Sequence, residues 1–227
     1  VFALLLLHLA ENRGMKGEVV KTVSTSSMID KLAESLGLPC REVPIGFKNI
    51  CARMLAHDVL LGGEESGGIG VSAHMPERDG ILCALLFLEL MATAHRRPSR
   101  LLAELERRVG PHHFDRWDCE VDDADAARER IRALADEAPD RLAGQPVREV
   151  NALDGAKFLL GDGSWVMARA SGTEPIVRLY AEASDPGRVQ ELLRAVAGLA
   201  GVRRVHGSIS GRHPRGELEL QEAGRGG

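Results

Sequence analysis

The chain has 227 residues, of which 44% are hydrophobic and 27% charged, and a formal net charge of −4; it is an ordinary globular chain with room for two modest domains. No basic excess marks it for nucleic acid, so an anionic ligand has to be drawn by local arginines and backbone donors rather than by the overall field. The four cysteines, Cys40, Cys51, Cys83 and Cys119, are far apart and form no C-x-x-C pair, which reads as reduced thiols of a cytoplasmic protein.

The opening apolar run, residues 2–7, is too short to span a bilayer and no basic segment precedes it, so no membrane segment or signal peptide is expected. It predicts a core helix to about Glu11, stopped by Asn12-Arg13-Gly14. The chain enters that helix at Val1 without a cap and reads as cut from something longer. Residues 18–23 are β-branched and predict a buried strand. Ser26 or Ser27 then caps a helix with Ile29, Leu32 and Leu36 at helical spacing, closed by Gly37. With a short strand at residues 41–43 this makes a β-α-β unit, the signature of a parallel sheet.

Residues 44–50 predict a loop leading into a helix around residues 52–56. The apolar strand Val59-Leu60-Leu61 runs straight into Gly62-Gly63-Glu64-Glu65-Ser66-Gly67-Gly68. Asp79-Gly80 opens a helix to about Ala94 that is apolar nearly all round, and such a helix is expected to be covered on most sides. Arg96-Arg97-Pro98 breaks it, and Ser99 caps another helix ending near Gly110.

The polar, irregular stretch from Pro111 to Trp117 marks a domain boundary. His112, His113, Asp115 and Cys119 superficially resemble a metal cluster, but their spacing fits no zinc pattern, and a polar linker is the expectation. A helix over residues 125–137 follows, then a β-hairpin region with turns at Asp154-Gly155 and Asp162-Gly163. The last helix has Asp185 at its cap, Pro186 in its first position and Gly201 beyond its end, with Val189, Leu192, Leu193 and Val196 as its apolar face. From about residue 205 the composition is rich in Gly and Arg without periodicity, and a flexible tail over residues 205–227 is expected.

Two loops carry chemistry. At the end of a strand, the carboxylates of Glu64-Glu65 can accept hydrogen bonds from adjacent sugar hydroxyls, and Ser66 can donate or accept, while the glycines let the backbone turn tightly round a ligand. The competing reading is a solvated acidic turn. Residues 169–178, R-A-S-G-T-E-P-I-V-R, follow an apolar strand. Arg169 offers a planar fork to a phosphate, Ser171 and Thr173 add hydroxyl donors, Gly172 lets backbone N–H groups approach, and Arg178 adds a second guanidinium. The competing reading is a polar hairpin turn. Lys21 and Lys48 stand near element ends, where either can contact a phosphate or move a proton on a sugar hydroxyl, although most lysines are solvated surface. His74 follows the glycine loop, but nothing in the sequence orients it.

Taken together, V-V-K-T-V-S-T-S (residues 19–26), P-I-G-F-K (44–48), G-G-E-E-S-G-G (62–68), R-D-G-I (78–81) and R-A-S-G-T-E-P-I-V-R (169–178) resemble the α-D-phosphohexomutase family. The resemblance implies most of the third of four domains, a three-layer α/β domain with a mixed sheet over residues 1–110, followed by a smaller α+β C-terminal domain over residues 111–204. It implies that Glu64 and Ser66 hold sugar hydroxyls, that Arg169, Ser171, Gly172 and Thr173 bind the substrate phosphate, and that Lys21 or Lys48 assists proton transfer. The expected substrate is a hexose phosphate and the expected partners are the N-terminal domains of the same enzyme. The family's phosphoserine loop and its magnesium loop belong to those domains and neither string occurs here. Mg2+ is thus a cofactor of the full-length enzyme without ligands in this chain, which is expected to be inactive alone. A non-catalytic sugar-phosphate-binding module is the alternative.

Overall fold

The computed structural model describes residues 1–172, 174–202, 204–208 and 216–217. They divide into two compact units, one of residues 1–112 and the other starting at residue 113.

The first unit opens with α1 (Phe2–Leu7), which continues as a π-helical turn over His8–Asn12. Strand β1 (Glu18–Thr22), helix α2 (Met28–Ser35) and strand β2 (Cys40–Val43) form the expected parallel β-α-β unit, with Val20 level with Arg41. Of the two candidate caps of α2 it is Ser26 whose hydroxyl accepts from the Met28 N–H, at 3.1 Å. Helix α3 spans Phe47–Ala56; it starts earlier than its apolar residues suggest, so Lys48 lies in its first turn rather than in a loop. Strand β3 (Val59–Gly63) pairs parallel to β1 on the side away from β2.

Strand β4 (Ile69–Val71) pairs antiparallel to β3, making the sheet mixed in the order β2-β1-β3-β4. The sequence gives no warning of β4, because three residues are too few to show a period of two. Neighbouring residues of β1 serve opposite cores, as strand alternation requires. Val19 packs with α1, α2 and the later helices, and Val20 packs with Phe47, Ile50 and Met54 of α3. Helices therefore cover both faces of the sheet, giving three layers.

Helix α4 (Gly80–Ala94) is capped as expected, the Asp79 carboxylate accepting from Leu82 N–H at 2.9 Å. Its predicted cover is only partial. Cys83, Leu86 and Leu90 are buried, but Ile81, Leu85 and Leu88 stand exposed. Helix α5 (Pro98–Val109) carries Pro98 in its first turn, where a missing N–H costs nothing, so Pro98 starts this helix and Ser99 does not cap it.

Among its described residues, the second unit is an antiparallel sheet with two helices. Strand β5 (His113–Glu120) occupies much of the stretch expected to be irregular. Its polar residues hide a period of two, with Asp115, Trp117 and Cys119 buried. Then come α6 (Ala124–Asp136), β6 (Arg141–Leu142), β7 (Gln145–Asn151), β8 (Ala156–Leu160), β9 (Trp165–Ala170), β10 (Ile176–Ala183) and α7 (Pro186–Ala200). The turns expected at Asp154-Gly155 and Asp162-Gly163 join β7 to β8 and β8 to β9; φ is +111° at Gly155 and +83° at Gly163, values that favour glycine. Asp185 caps α7 by accepting from Gly187 N–H at 2.8 Å and Arg188 N–H at 3.1 Å.

Strand β11 (Arg204–Ser208) pairs antiparallel with β5, and β12 (Gly216–Glu217) pairs with β11. The expected tail therefore begins in the sheet. The edge of β5 offers unpaired backbone groups, and pairing them does not depend on side-chain periodicity. The remainder of the expected tail, residues 209–215 and 218–227, lies outside the described residues. The full order is β12-β11-β5-β10-β9-β8-β7-β6. Both helices pack on one face of this sheet, where Val166, Ala168, Val177, Leu179 and Ala181 meet Leu192, Leu193 and Val196.

Candidate functional site

In the first unit the glycine loop follows β3 directly. Glu64 N–H donates to the Gly68 carbonyl at 2.9 Å and Gly67 N–H to the Glu64 carbonyl at 3.1 Å, with φ of +92° at Gly67. The loop is thus a closed turn. It carries Glu64 almost buried at 8% exposure, and Ser66 exposed.

The Glu64 carboxylate accepts from the Gly46 N–H at 3.1 Å, which brings the P-I-G-F-K segment against the glycine loop. Burial pushes its pKa above the ordinary carboxylate value; Gly46 N–H opposes the rise, Glu65 adds to it and Arg78 opposes it. Arg78 stands 4.0 Å from Glu64 Oε2 and lies over the Phe47 ring at 5.3 Å from its centroid. A side chain at position 68 would crowd this group: a Cβ there would meet Arg78 Cδ at 2.8 Å and Glu64 Oε2 at 3.3 Å. Glu65 turns the other way, accepting from Ser24 Oγ at 2.7 Å and Thr22 Oγ1 at 3.4 Å.

The two lysines differ sharply. Lys48 is exposed at the start of α3. Lys21 is level with Gly63 in the β1–β3 register, yet its side chain is wholly buried. Its ammonium meets Asp30 at 2.5 Å and Glu42 at 3.2 Å and donates to the Thr25 and Ser26 carbonyls at 3.2 and 3.3 Å. Burial works against that charge, but Asp30 and Glu42 outweigh it and raise the pKa. His74 is bound to the α4 cap, 3.0 Å from Asp79 Oδ2.

In the second unit the register of the sheet sets Asp118 of β5 beside Arg178 of β10, and Arg178 beside Arg169 of β9. The residues flanking Arg169 and Arg178 in the chain, Ala168, Ala170, Val177 and Leu179, belong to the core with the helices, so strand alternation puts both arginines on the opposite face. The loop between β9 and β10 closes through Ser171 N–H to the Ile176 carbonyl at 2.9 Å and Ile176 N–H to the Glu174 carbonyl at 2.8 Å. Ser171 is 5% exposed and its hydroxyl accepts from Glu174 N–H at 3.3 Å. Gly172 stands open, since no atom lies within 4 Å of where its Cβ would be. Thr173 lies outside the described residues.

Each arginine is held by carboxylates. Arg169 Nε is 3.1 Å from Asp154 Oδ1, and Arg178 meets Glu174 at 3.1 Å and Asp118 at 3.6 Å. Arg116 adds a further guanidinium on Asp118 at 3.0 Å. These pairings fix the forks in place and offset their charge. An anion arriving at the loop meets oriented donors rather than freely moving side chains.

Sequence reasoning missed the supporting residues Arg78, Ser24, Asp154, Asp118 and Arg116, and it read Glu65 as an acceptor for sugar hydroxyls, whereas Ser24 and Thr22 engage that carboxylate. Arg78 and Ser24 stood inside motifs, and Asp154 was visible only as half of a turn signal; Asp118 and Arg116 carried no signal. Among the described residues, no group of three or more His, Cys, Asp or Glu side chains is placed to hold a metal ion, and none of their helices is long and apolar enough to cross a membrane.

Two family models match the chain: "Phosphoglucomutase/phosphomannomutase, alpha/beta/alpha domain III" over residues 1–109 and "Phosphoglucomutase/phosphomannomutase, C-terminal domain" over residues 119–199. A phosphoglucosamine mutase of Rubrobacter xylanophilus is 32% identical over 88% of this chain and 41% of its own length. A phosphoglucomutase of Komagataeibacter xylinus is 32% identical over 78% of this chain and 34% of its own. The chain therefore spans well under half the length of these relatives. Among solved structures, the crystal structure described as a putative phosphomannomutase from Thermus thermophilus superposes with a TM-score of 0.71 at 34% identity, over 88% of this chain and 39% of that one.

Proposed function

The chain belongs to the phosphoglucomutase/phosphomannomutase family, and from that premise we propose that it is the substrate-recognition half of a phosphohexomutase interconverting hexose 1-phosphate and hexose 6-phosphate. The observation that carries this reading is the Glu64 carboxylate, almost buried at the end of β3 and held by the Gly46 N–H. A carboxylate so fixed accepts from two adjacent sugar hydroxyls without first having to be ordered. Ser66 supplies a hydroxyl beside it.

In the second unit Arg169, Arg178, Ser171 and the open backbone at Gly172 bind the phosphate that is not reacting, with Thr173 adding its hydroxyl. Asp154, Asp118 and Glu174 keep the guanidinium forks oriented. Of the two lysines, Lys48 takes the role in proton transfer, because Lys21 already spends its protons on Asp30, Glu42 and two carbonyls. The nucleophile, a phosphoserine, belongs to N-terminal domains of the same enzyme, and so does the magnesium loop. The sugar passes through a bisphosphorylated form and turns over between the two half-reactions. Recognition by one loop that reads hydroxyls and another that reads phosphate suits a ligand bound in two orientations. The described residues do not fit a magnesium ion, and no step assigned to them runs through one.

Titrating glucose 1-phosphate into the 15N-labelled chain tests the proposal. Amide shifts at residues 62–68 and 171–172 are expected, saturating only near about millimolar ligand, with those at 171–172 lost in Arg169→Ala. Silence at both loops would overturn the reading. Micromolar affinity would instead favour a stand-alone sugar-phosphate-binding module.

A further inference from the structure

The carboxylates around the second loop grip its arginines at different ends. Arg169 Nε lies 3.1 Å from Asp154 Oδ1, and Arg178 Nε lies 3.6 Å from Asp118 Oδ1. Both acids therefore meet a guanidinium at the nitrogen next to its stem. Both also belong to the scaffold: Asp118 is in β5, where Arg116 holds it at 3.0 Å, and Asp154 is in the turn between β7 and β8. A planar fork held at Nε keeps its terminal nitrogens for another anion.

Glu174 is placed otherwise. It stands in the loop itself, between β9 and β10, and its carboxylate accepts from the terminal Nη2 of Arg178 at 3.1 Å. Its main chain closes on the same loop: Glu174 N–H donates to the Ser171 hydroxyl at 3.3 Å, and its carbonyl accepts from Ile176 N–H at 2.8 Å. Residue 174 thus engages both Arg178 and Ser171, which on the phosphate reading serve the ligand. Its side chain is 57% exposed, against 30% for Asp118 and 24% for Asp154. An ion pair so open to water is worth little and exchanges readily. A phosphate dianion brings more charge and more acceptor oxygens than a carboxylate, so it can displace Glu174. A free carboxylate offers only what Glu174 already supplies from within the chain, at the high effective concentration of a tethered group.

We propose that Glu174 is a tethered stand-in for the phosphate, a specificity-determining residue that makes the loop answer to phosphate dianions and exclude carboxylates. The proposal rests on the reading of this loop as a phosphate site. At rest the charges of Arg116, Arg169 and Arg178 are matched by Asp118, Asp154 and Glu174. When the dianion arrives, Glu174 yields the fork end of Arg178 to it, while Asp118 and Asp154 keep both forks aimed. The test titrates inorganic phosphate, and separately acetate, into the 15N-labelled 227-residue chain and its Glu174→Gln variant, reading the amides of residues 171–172. Glutamine keeps the length of the side chain and removes its charge. The phosphate midpoint is expected to fall at least about threefold in the variant. Acetate is expected to leave the parent unchanged and to shift the same amides in the variant. Glu174→Ala is expected to act alike, and thermal melts of both variants to match the parent, since the side chain faces water. A phosphate midpoint unchanged or raised by both substitutions overturns the inference, a raised one making Glu174 a support of the fork. Acetate shifts as large in the parent as in the variants overturn it too. Phosphate silence at residues 171–172 in all three proteins overturns it together with the phosphate reading of the loop, so the two failures are told apart.

Discussion

The Glu65 carboxylate accepts a hydrogen bond from the Ser24 hydroxyl at 2.7 Å, tying the glycine loop after β3 to the segment that follows β1. Of two adjacent acids, Glu65 is committed to the scaffold, while Glu64 is held by the Gly46 N–H. Ser24→Ala leaves Glu65 short of a donor and is expected to cost about 1–2 kcal/mol in urea unfolding. Amides of residues 62–68 should then exchange with solvent faster than in the parent chain; unchanged exchange would show that Ser24 does not anchor the loop.

Glu64 gives a pH-dependent prediction. Burial raises its pKa in the folded state above the ordinary 4.5, so the folded protein holds that proton more tightly than the unfolded one. Stability from this group is present below the ordinary value and falls as pH rises through the folded value. Glu64→Gln is therefore expected to raise Tm at about pH 7 by on the order of 2 °C and to leave it unchanged near about pH 3. The same variant should lose the glucose 1-phosphate shifts at residues 62–68, which separates a site residue from a merely awkward buried acid.

Lys21→Met tests the assignment of that lysine to structure. Removing the ammonium leaves Asp30 and Glu42 facing each other beside an apolar core. Asp30 and Glu42 side chains are 43% and 24% exposed, so water softens the loss to about 2 kcal/mol, below the cost of breaking a fully buried pair. The raised pKa of Lys21 confines any pH dependence of its contribution to the alkaline side, where stability is lost as pH rises through the folded value. Urea unfolding of the variant at neutral pH measures the effect; a stability unchanged from the parent would return Lys21 to the list of free lysines.

Gly70 sits in β4 with the Glu77 carbonyl where a side chain would begin: a Cβ would be 2.5 Å from that oxygen and 3.0 Å from Phe47 Cζ. Gly70→Ala has to push apart β4 and the segment leading into α4, at about 1–3 kcal/mol. A thermal melt should show the loss, with altered amide shifts concentrated around Arg78.

The thiols are expected to react unequally with a disulfide reagent. Burial, with Asp30 beside it, pushes the Cys40 thiol up to about 12, and burial with Asp118 pushes Cys119 up to about 12. Both stay protonated in the native protein at neutral and mildly alkaline pH and should react only on unfolding. Cys51, only partly buried against the α3 core and with its thiol pushed up less far than these two, is expected to react before them. Rapid native labelling of Cys119 would contradict its place in the second core.

Much of the fold was legible because its signals are local. Glycines at turns, the Asp79 and Asp185 caps and the alternation of β-branched residues require only near neighbours, and they located helices, strands and both loops, including the Glu64 and Arg169 segments. Strand β4 and the strand nature of residues 113–120 were not legible, since three residues carry no period and polar side chains masked alternation in the other. The role of Lys21 was equally hidden: it looks like any strand-end lysine until α2 and β2 bring Asp30 and Glu42 to its ammonium. Helix α4 makes the same point in reverse, because its composition announces apolarity on every side while only packing decides which side is covered. The sequence by itself determined the loops and their chemical groups. The tertiary structure alone decided which charges are paired, which of two adjacent carboxylates is tied to the strand beside it, and which apolar face still stands open, because burial and charge pairing depend on residues far apart in the chain.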